Sequence, residues 1–223
     1  MLRERLMSLK NRQNMAEEIA TYLSEKIIRM ELTPGERILE AKIAEELAVS
    51  RSPVREALRI LEKYQLIELI PRRGGRVKEM TPEYIRCLFE VMSELLGLIT
   101  RLCCKNRTDT HLVQLVRIEE KALTCAQEQN ARGYIENIYD YVLLTLQAGN
   151  NPVLAQMIND YIPGLRRAYF LSLTNRSYNL CENAKKFREI HQHIVDGQTE
   201  IAEQKVKAYA LLEQDRVMQS LSI

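Results

Sequence analysis

The segment of residues 43–58, which reads IAEELAVSRSPVREAL, constrains the fold more than any other part of this 223-residue chain. Its pattern predicts two short helices, over residues 40–47 and 51–63, joined by a tight turn. An apolar stripe on the second helix is suited to packing against the other helices; its members are Val54, Ala57, Leu58 and Leu61. Three arginines lie at helical spacing on a stripe rotated about 100° away; they are Arg51, Arg55 and Arg59. The segment therefore predicts a helix-turn-helix whose second helix presents basic side chains.

The flanking residues extend this motif to a winged helix-turn-helix. An amphipathic helix is predicted over 14–30, and residues 37–39 are predicted to form a short strand. After the third helix, residues 67–70 and 75–78 are predicted to form the two strands of a hairpin, with a basic, glycine-containing segment between them. The order of three helices followed by a hairpin is that of a winged helix.

This arrangement of arginines suits the major groove of DNA, because the guanidinium fork matches the O6 and N7 acceptors of guanine. Arg51 and Arg55, nearest the start of the helix, are the predicted base readers, and Arg59 is predicted to meet phosphate or solvent. Ser50 or Ser52 is predicted to cap the helix, and both are predicted to bind phosphate at its N-terminus. The wing is predicted to contact phosphates or the minor groove through Arg72, Arg73, Gly74 and Gly75.

Positive charge is concentrated in this part of the chain. The whole chain has a net charge of +2, with 32 Lys and Arg against 30 Asp and Glu. Residues 51–78 alone contain eight basic and three acidic side chains, a net charge of +5. A solvated surface helix carries similar runs, so the charge favours DNA binding only together with the spacing of the arginines.

The fold class expected for the chain is mainly α, with a winged helix-turn-helix domain at 1–80 and a helical domain at 81–223. Thr81, Pro82 and Glu83 are typical of a helix start. Helical periodicity then recurs in six segments: 82–105, 109–129, 132–148, 152–173, 179–196 and 200–220. Pro163 is expected to kink or split the fourth of them. The second domain is therefore predicted to be an antiparallel bundle of six or seven helices.

Composition points to a cytoplasmic protein. No apolar run approaches the ~18 residues that span a bilayer, and the charged N-terminus lacks the apolar region of a signal peptide. The five cysteines lie in helical patterns and are interpreted as reduced, mostly buried thiols; they are Cys87, Cys103, Cys104, Cys125 and Cys181. Motifs of common enzymes, such as HExxH, a P-loop or Gly-x-Ser-x-Gly, do not occur, so the chain is not expected to be an enzyme.

Three motifs resemble the GntR family of bacterial transcription regulators. They are Leu-x-Pro-Gly-x-x-Ile at 32–38, the segment 43–58, and Arg-Gly-Gly-x-Val at 73–77. The resemblance covers residues 15–78 and implies binding to double-stranded operator DNA. Because one recognition helix reads only a few base pairs, a homodimer on a palindromic operator is expected.

The resemblance also implies roles for individual residues. Arg51 and Arg55 correspond to operator-contacting arginines of the family, and the glycine pair of the wing corresponds to a tip that lies in the minor groove. A third DNA-contacting arginine of the family falls at Ala41 in this chain, with Lys42 beside it. Contact from the second helix therefore depends on Lys42.

The C-terminal domain is similar to that of the FadR subfamily, with an FCD-type helical domain, over residues 84–104 and 148–154. Many such domains bind a divalent metal through an Asp and three His, and the metal holds a carboxylate ligand. In this chain, counting back from Asn151, the Asp and the first His of the family fall on Ile138 and Val142. The pocket arginine falls on Met92 and the last His on Tyr209, so that only His191 is retained. Neither a metal nor a cofactor is expected, since such ions need about three or four ligands.

Two functions remain open for the helical domain. In the first, these residues line a pocket in which Arg188 serves as a polar anchor. A small, largely apolar effector bound there modulates the binding of the regulator to its operator, and repression is favoured over activation. In the second, the same residues fill the core, and the protein is a ligand-independent dimeric DNA-binding regulator. An enclosed cavity distinguishes the two.

Overall fold

A computed structural model describes residues 2–71, 73–172 and 179–221. The chain forms two compact units. The first comprises the residues up to Met80 together with Ile162–Arg167, and the second comprises Thr81–Tyr161 and the residues from Ala168 onward. The predicted fold class, mainly α with an N-terminal winged helix-turn-helix and a C-terminal helical bundle, is confirmed.

The first unit contains three helices and a three-stranded antiparallel sheet. Its elements are α1 (Leu2–Ile28), β1 (Arg37–Ile38), α2 (Glu40–Glu46), α3 (Arg51–Lys63), β2 (Ile67–Ile70) and β3 (Gly74–Val77). The strands lie in the order β1-β3-β2, so that the hairpin of the wing gains a third strand from the residues before α2. Helix α1 begins twelve residues earlier than predicted, because residues 2–13 contain neither Gly nor Pro and are rich in helix-forming residues.

One apolar core holds this unit together. Leu23 and Ile27 of α1 pack with the buried stripe of α3 and with Ile67 of β2, and all of them are fully buried. Burying a side chain of this size stabilises a fold by about 1.5–3 kcal/mol. The core therefore fixes α3 by its apolar face and leaves its opposite face to solvent.

The second unit is helical throughout its described residues. Its elements are α4 (Pro82–Asn106), α5 (Asp109–Gln127), α6 (Ala131–Gly149), α7 (Pro152–Ser172, except for Ile162–Arg167, which is grouped with the first unit), α8 (Leu180–Val195) and α9 (Thr199–Leu221). Thr81 caps α4 as predicted, accepting a hydrogen bond from the backbone N–H of Tyr84 at 3.2 Å. Of the predicted kink or split at Pro163, the split does not occur, because α7 continues through this residue as one helix; the kink stays a prediction.

Close backbone approaches set the packing of α4 in this unit. A Cβ atom on Gly97 would lie 2.5 Å from Lys207 of α9, and one on Gly149 would lie 2.4 Å from Ile99. Asn106 also donates to the carbonyl oxygen of Gly149 at 2.9 Å. Small residues at these positions therefore allow α6 and α9 to pack directly on α4.

The cysteines are less buried than predicted. Cys103 and Cys104 are buried, and desolvation raises the pKa of Cys103 to about 12, but Cys87 and Cys181 are exposed. All five are free thiols. No helix among the described residues is both long and apolar enough to cross a membrane.

Candidate nucleic-acid interface and helical core

Helix α3 separates its apolar and basic residues onto two faces. Val54, Ala57, Leu58 and Leu61 are fully buried, whereas Arg51, Arg55 and Arg59 are exposed. This division follows directly from the helical period, because residues three and four apart share a face. Three guanidinium groups therefore lie along the solvent side of a helix whose position is fixed by its core.

The start of α3 is open to solvent. Ser50 occupies the N-cap position, but its hydroxyl makes no capping hydrogen bond, contrary to the predicted cap. Ser52 is exposed in the first turn, and Pro53 has no N–H group to satisfy. The first backbone N–H groups of a helix have no intrahelical partner and carry partial positive charge. Together with the two serine hydroxyls they form a surface suited to a phosphate.

A left-handed residue makes the turn between α2 and α3. Ala48 has φ of 52°, and the N–H of Val49 donates to the carbonyl oxygen of Ala44 at 2.9 Å. A left-handed conformation costs a residue with a Cβ roughly 1–2 kcal/mol. The turn residue that sets the angle between the two helices is therefore held in an unfavourable conformation by the packing around it.

Replacing Ala48 with glycine is expected to raise the unfolding free energy of the first unit by about 0.5–1 kcal/mol. Glycine adopts a positive φ without strain, and this gain exceeds its greater loss of backbone entropy on folding. Denaturant unfolding followed by circular dichroism measures the change. The control is Ala41→Gly at an exposed position in α2, which is expected to lower stability instead. A loss of stability in Ala48→Gly would show that the turn is not strained.

The three arginines of α3 differ in their partners. Arg55 is held by Glu40 of α2, with Nε donating to Oε1 at 3.1 Å and Nη2 donating to Oε2 at 2.9 Å. This ion pair raises the pKa of Arg55. Arg59 pairs with Glu56 of its own helix at 2.8 Å, and the side chain of Arg51 makes no hydrogen bond or ion pair within the described part of the chain. The pair between Glu40 and Arg55 was not predicted from the sequence, because the two residues are fifteen positions apart.

The tip of the wing lies between β2 and β3. Arg73 is exposed, and its backbone N–H donates to the carbonyl oxygen of Ile70 at 2.9 Å. Arg72, which was also predicted to contact DNA, lies outside the described residues. Ala41 and Lys42 are both exposed at the start of α2, so Lys42 is available to a ligand on that surface.

Gly74 and Gly75 belong to β3 and have a packing role. Gly74 has φ of +85°, and a Cβ atom there would lie 2.2 Å from the carbonyl oxygen of Ile38 in β1. Gly75 is buried, and a Cβ there would lie 2.8 Å from the Cδ1 atom of Ile67. Sequence reasoning placed both glycines at the tip, whereas they allow β3 to lie close between β1 and β2. Their contact with DNA stays a prediction.

The residues predicted to line an effector pocket differ in how deeply they are buried. Met92 is fully buried in α4 and His191 is buried in α8. Ile138, Val142 and Tyr209 are half-buried. The side chain of Arg188 is 64% exposed, and its Nε donates to Oε1 of Glu119 at 3.1 Å. Arg188 therefore lies at the surface, where it compensates the buried carboxylate of Glu119 instead of anchoring a ligand in the core.

Tyr141, not Val142, is the residue of α6 that meets His191. Its hydroxyl lies 2.9 Å from Nδ1 of His191. The predicted register was counted from Asn151, but α6 ends at Gly149 and its C-cap is Asn150, which adopts the left-handed conformation with φ of 52°. A count from Asn150 places Tyr141 at the position that the count from Asn151 had assigned to Val142. Burial lowers the pKa of His191, so its imidazole is neutral at neutral pH.

Aromatic rings pack around this pair. The rings of Tyr141 and Phe187 meet edge to face with centroids 4.9 Å apart, and Phe187 also meets Tyr134 at 6.4 Å. Within the described ranges, no three His, Cys, Asp or Glu side chains are grouped so that they could hold a metal ion. Aromatic rings and hydroxyl groups therefore surround His191 in this unit.

A buried polar cluster surrounds Tyr209. The hydroxyls of Tyr134 and Tyr209 both donate to Oδ1 of Asn183, at 3.0 Å for Tyr134. Asn183 in turn donates to Oε1 of Glu213 at 2.6 Å, and Arg216 forms an ion pair with the same oxygen. Glu213 is fully buried, and desolvation raises its pKa. This part of the core is thus more polar than the lining expected from Met92, Ile138, Val142 and Tyr209, among which Tyr209 alone carries a hydroxyl group.

The second carboxylate oxygen of Glu213 is buried and has no hydrogen-bond partner among the described residues. The sequence contained a signal for this cluster that was missed. Glu213 lies on the buried stripe of α9 between Ala210 and Val217, where an apolar residue is the rule. A charged residue at such a position indicates a polar partner or a ligand.

Comparison with known proteins places both units among bacterial regulators. Residues 15–77 match the family model described as bacterial regulatory proteins, gntR family, and residues 87–211 match the FCD domain. The HTH-type transcriptional regulator McbR of Escherichia coli is 30% identical over 143 residues, which are 62% of this chain and 64% of that protein, just under two thirds of its length. The galactonate operon transcriptional repressor of Escherichia coli is 28% identical over 179 residues, 70% of this chain and 76% of that protein.

The fold is similar to that of solved structures in the same group. Escherichia coli McbR/YncC superposes with a TM-score of 0.82 at 19% identity, covering 93% of this chain and 98% of that one. A putative GntR transcriptional regulator from Rhodococcus sp. RHA1 superposes with a TM-score of 0.73 at 20% identity, covering 92% and 97%. At these identities the similarity concerns the fold alone.

Proposed function

This chain belongs to the gntR family of bacterial regulatory proteins, and we propose that it is a sequence-specific DNA-binding transcription regulator whose helical unit binds a small effector. We base this proposal on the exposed edge of α3, where Arg51 and Arg55 lie beside an open helix N-terminus. That edge combines side chains that read guanine with groups that bind phosphate. The protein then acts in the bacterial cytoplasm, where operator DNA is accessible.

In this function Arg51 and Arg55 enter the major groove and contact base edges. Ser50 and Ser52 bind a phosphate at the start of α3, and Arg59 and the wing's Arg73 contact the backbone of the duplex. Phosphate contacts fix the orientation of the protein, whereas base contacts determine the sequence it selects. Repression is the favoured mode, because a bound regulator that blocks a promoter needs no further contact with polymerase.

We further propose that two copies bind a palindromic operator. The two recognition helices of such a dimer enter major grooves about 34 Å apart. Val153, Met157 and Tyr161 follow one another at helical spacing on α7 and are 71%, 45% and 38% exposed. Large apolar side chains in a continuous exposed stripe are typical of a surface that a partner covers. This stripe supports α7 as the place where the second copy packs.

The double substitution Val153→Glu and Met157→Glu is expected to convert the dimer to a monomer, because a two-fold interface would bury four new carboxylates near one another. Size-exclusion chromatography with light scattering measures the mass. The control is Val113→Glu on α5, where the wild-type side chain is 53% exposed; this variant is expected to remain dimeric. A dimeric double variant would place the interface elsewhere.

For the effector, we propose a small, largely apolar molecule that carries a hydrogen-bond donor. The unpartnered oxygen of Glu213 accepts a hydrogen bond without further desolvation, since it is already buried. A carboxylate ligand is disfavoured beside it, because two buried carboxylates repel one another. An effector bound here would favour one arrangement of the dimer and thereby change the spacing of the two recognition helices.

The second candidate is a ligand-independent dimeric regulator. The edge-to-face packing of Tyr134, Tyr141 and Phe187 supports it, because these rings occupy core volume that an effector would need. Native mass spectrometry of protein purified from its own host, without chelator, tests both candidates. A mass of two chains plus an organic adduct supports an effector, whereas a clean dimer mass supports the filled core. A stoichiometric metal lost on His191→Ala would contradict both descriptions of the core.

A further inference from the structure

The carboxylate of Glu40 holds one edge of the Arg55 guanidinium. Glu40 is the first residue of α2, and its two oxygens accept from Nε and Nη2 of Arg55 at 3.1 and 2.9 Å. The Glu40 side chain is 23% exposed and that of Arg55 is 57% exposed. The carboxylate thus comes from the more buried partner, and the guanidinium extends from it toward solvent.

The edge that Glu40 leaves unoccupied is the one that suits guanine. A guanidinium has five N–H donors in one plane, and the Nε and Nη2 groups share one edge. Two donors on that edge are used by Glu40, so the Nη1 group and the remaining hydrogen of Nη2 point away from it. This second edge presents two parallel donors, the arrangement that matches the O6 and N7 atoms of guanine. Nη1 of Arg55 makes no hydrogen bond within the described residues.

We propose that Glu40 is a positioning residue for DNA recognition, which orients Arg55 so that its second edge meets a guanine. The inference rests on the proposed function of Arg55 as a base reader. An exposed arginine adopts many rotamers, and selecting one of them on binding weakens the complex. An arginine already held in one plane by a bidentate carboxylate loses little rotamer freedom when it binds guanine. A base without two matching acceptors does not form the bidentate contact, so its affinity does not increase.

A competing expectation has the opposite sign. Glu40 is an anionic group near a surface that would face a polyanion, so removing its charge would strengthen binding to every duplex if only long-range electrostatics mattered. The chain offers a matched control in Glu56, which pairs with Arg59 on the same helix face at 2.8 Å and is 52% exposed. Glu56 makes no hydrogen bond to Arg55, so its removal reports the effect of one negative charge while the bidentate pair of Glu40 and Arg55 stays in place.

The experiment compares Glu40→Gln, Glu56→Gln and Arg55→Ala as full-length proteins on an operator selected by the wild-type protein from random duplexes. Fluorescence anisotropy at one salt concentration gives the affinity for the operator, for each of its single-base variants and for a scrambled duplex. Glu40→Gln is expected to lower the ratio of specific to non-specific affinity by about tenfold. It is also expected to relax the preference at the same base pair as Arg55→Ala. Glu56→Gln is expected to change the ratio by about twofold or less.

Different outcomes separate this inference from the proposed function. If Arg55→Ala lowers the specific affinity while Glu40→Gln raises affinity for all duplexes or leaves the ratio unchanged, the positioning role is wrong and Arg55 still reads DNA. If Arg55→Ala leaves the ratio unchanged, both are wrong. A loss of preference at a different base pair in Glu40→Gln also contradicts the positioning role. Equal unfolding midpoints of the three variants exclude a general loss of folding.

Discussion

Replacing Arg55 with alanine is expected to lower the affinity for the operator by about 10–100-fold in each half-site, with little change on a scrambled duplex. The reason is that a bidentate contact to guanine carries sequence information, whereas phosphate contacts do not. Arg55 is exposed on α3, and one of its edges is free for such a contact. Fluorescence anisotropy on the two duplexes at fixed salt measures the difference.

The control for this variant is Arg59→Ala, one turn further along the same face. Arg59 pairs with Glu56 of its own helix, so its loss is expected to weaken binding to both duplexes by a similar small factor. Circular dichroism and light scattering should show that both variants remain folded and dimeric, since neither side chain is in the core. Unchanged operator affinity in Arg55→Ala would exclude α3 as the part of the protein that reads the sequence.

The substitution Gly74→Ala is expected to lower the unfolding free energy of the first unit by about 2–5 kcal/mol, the combined cost of a left-handed alanine and of overpacking. The added methyl group would lie 2.2 Å from the carbonyl oxygen of Ile38, which is backbone and has no rotamer to change. Relief of the overlap therefore requires β1 and β3 to move apart. Denaturant unfolding measures the loss, and operator binding is expected to fall with it.

Gly35→Ala separates the two causes. Gly35 also has a positive φ, of +80°, but no atom lies within 4 Å of the position of an added Cβ. Its loss of stability is therefore expected to be only about 1–2 kcal/mol, from backbone conformation alone. Equal losses in Gly35→Ala and Gly74→Ala would mean that the close approach of β1 to β3 is easily relaxed.

The amphipathic pattern of α3 was predictable because it is local. The helical period assigns Val54 and Leu58 to one face and Arg51 and Arg55 to another, whatever the rest of the chain does. The same holds for the six helices of the second unit, whose boundaries lie within a few residues of the predicted ones. By contrast, the early start of α1 lies in a segment of helix-forming residues whose apolar periodicity is too weak to predict a helix.

The details that were missed depend on contacts between distant residues or on a register of one position. The ion pair of Glu40 with Arg55 requires the angle between α2 and α3, which Ala48 sets through a conformation that alanine rarely adopts. The packing role of Gly74 depends on a third strand that pairs with the hairpin, because its close neighbour is Ile38 of β1. In α6, the adjacent Asn150 and Asn151 left the register of the prediction uncertain by one position. Val142 was therefore predicted at the place where Tyr141 contacts His191.

The third strand of the sheet gives the wing a direct connection to the reading helix. In β1, Ile38 pairs with Gly75 of β3, and only Leu39 separates it from Glu40 at the start of α2. We therefore expect a shift of the hairpin, as its arginine meets a phosphate, to move the carboxylate beside Arg55 through this short segment. Phosphate binding by the wing and base recognition by Arg55 would then be thermodynamically coupled. DNA of unsuitable groove width would be bound weakly even where its base sequence is correct.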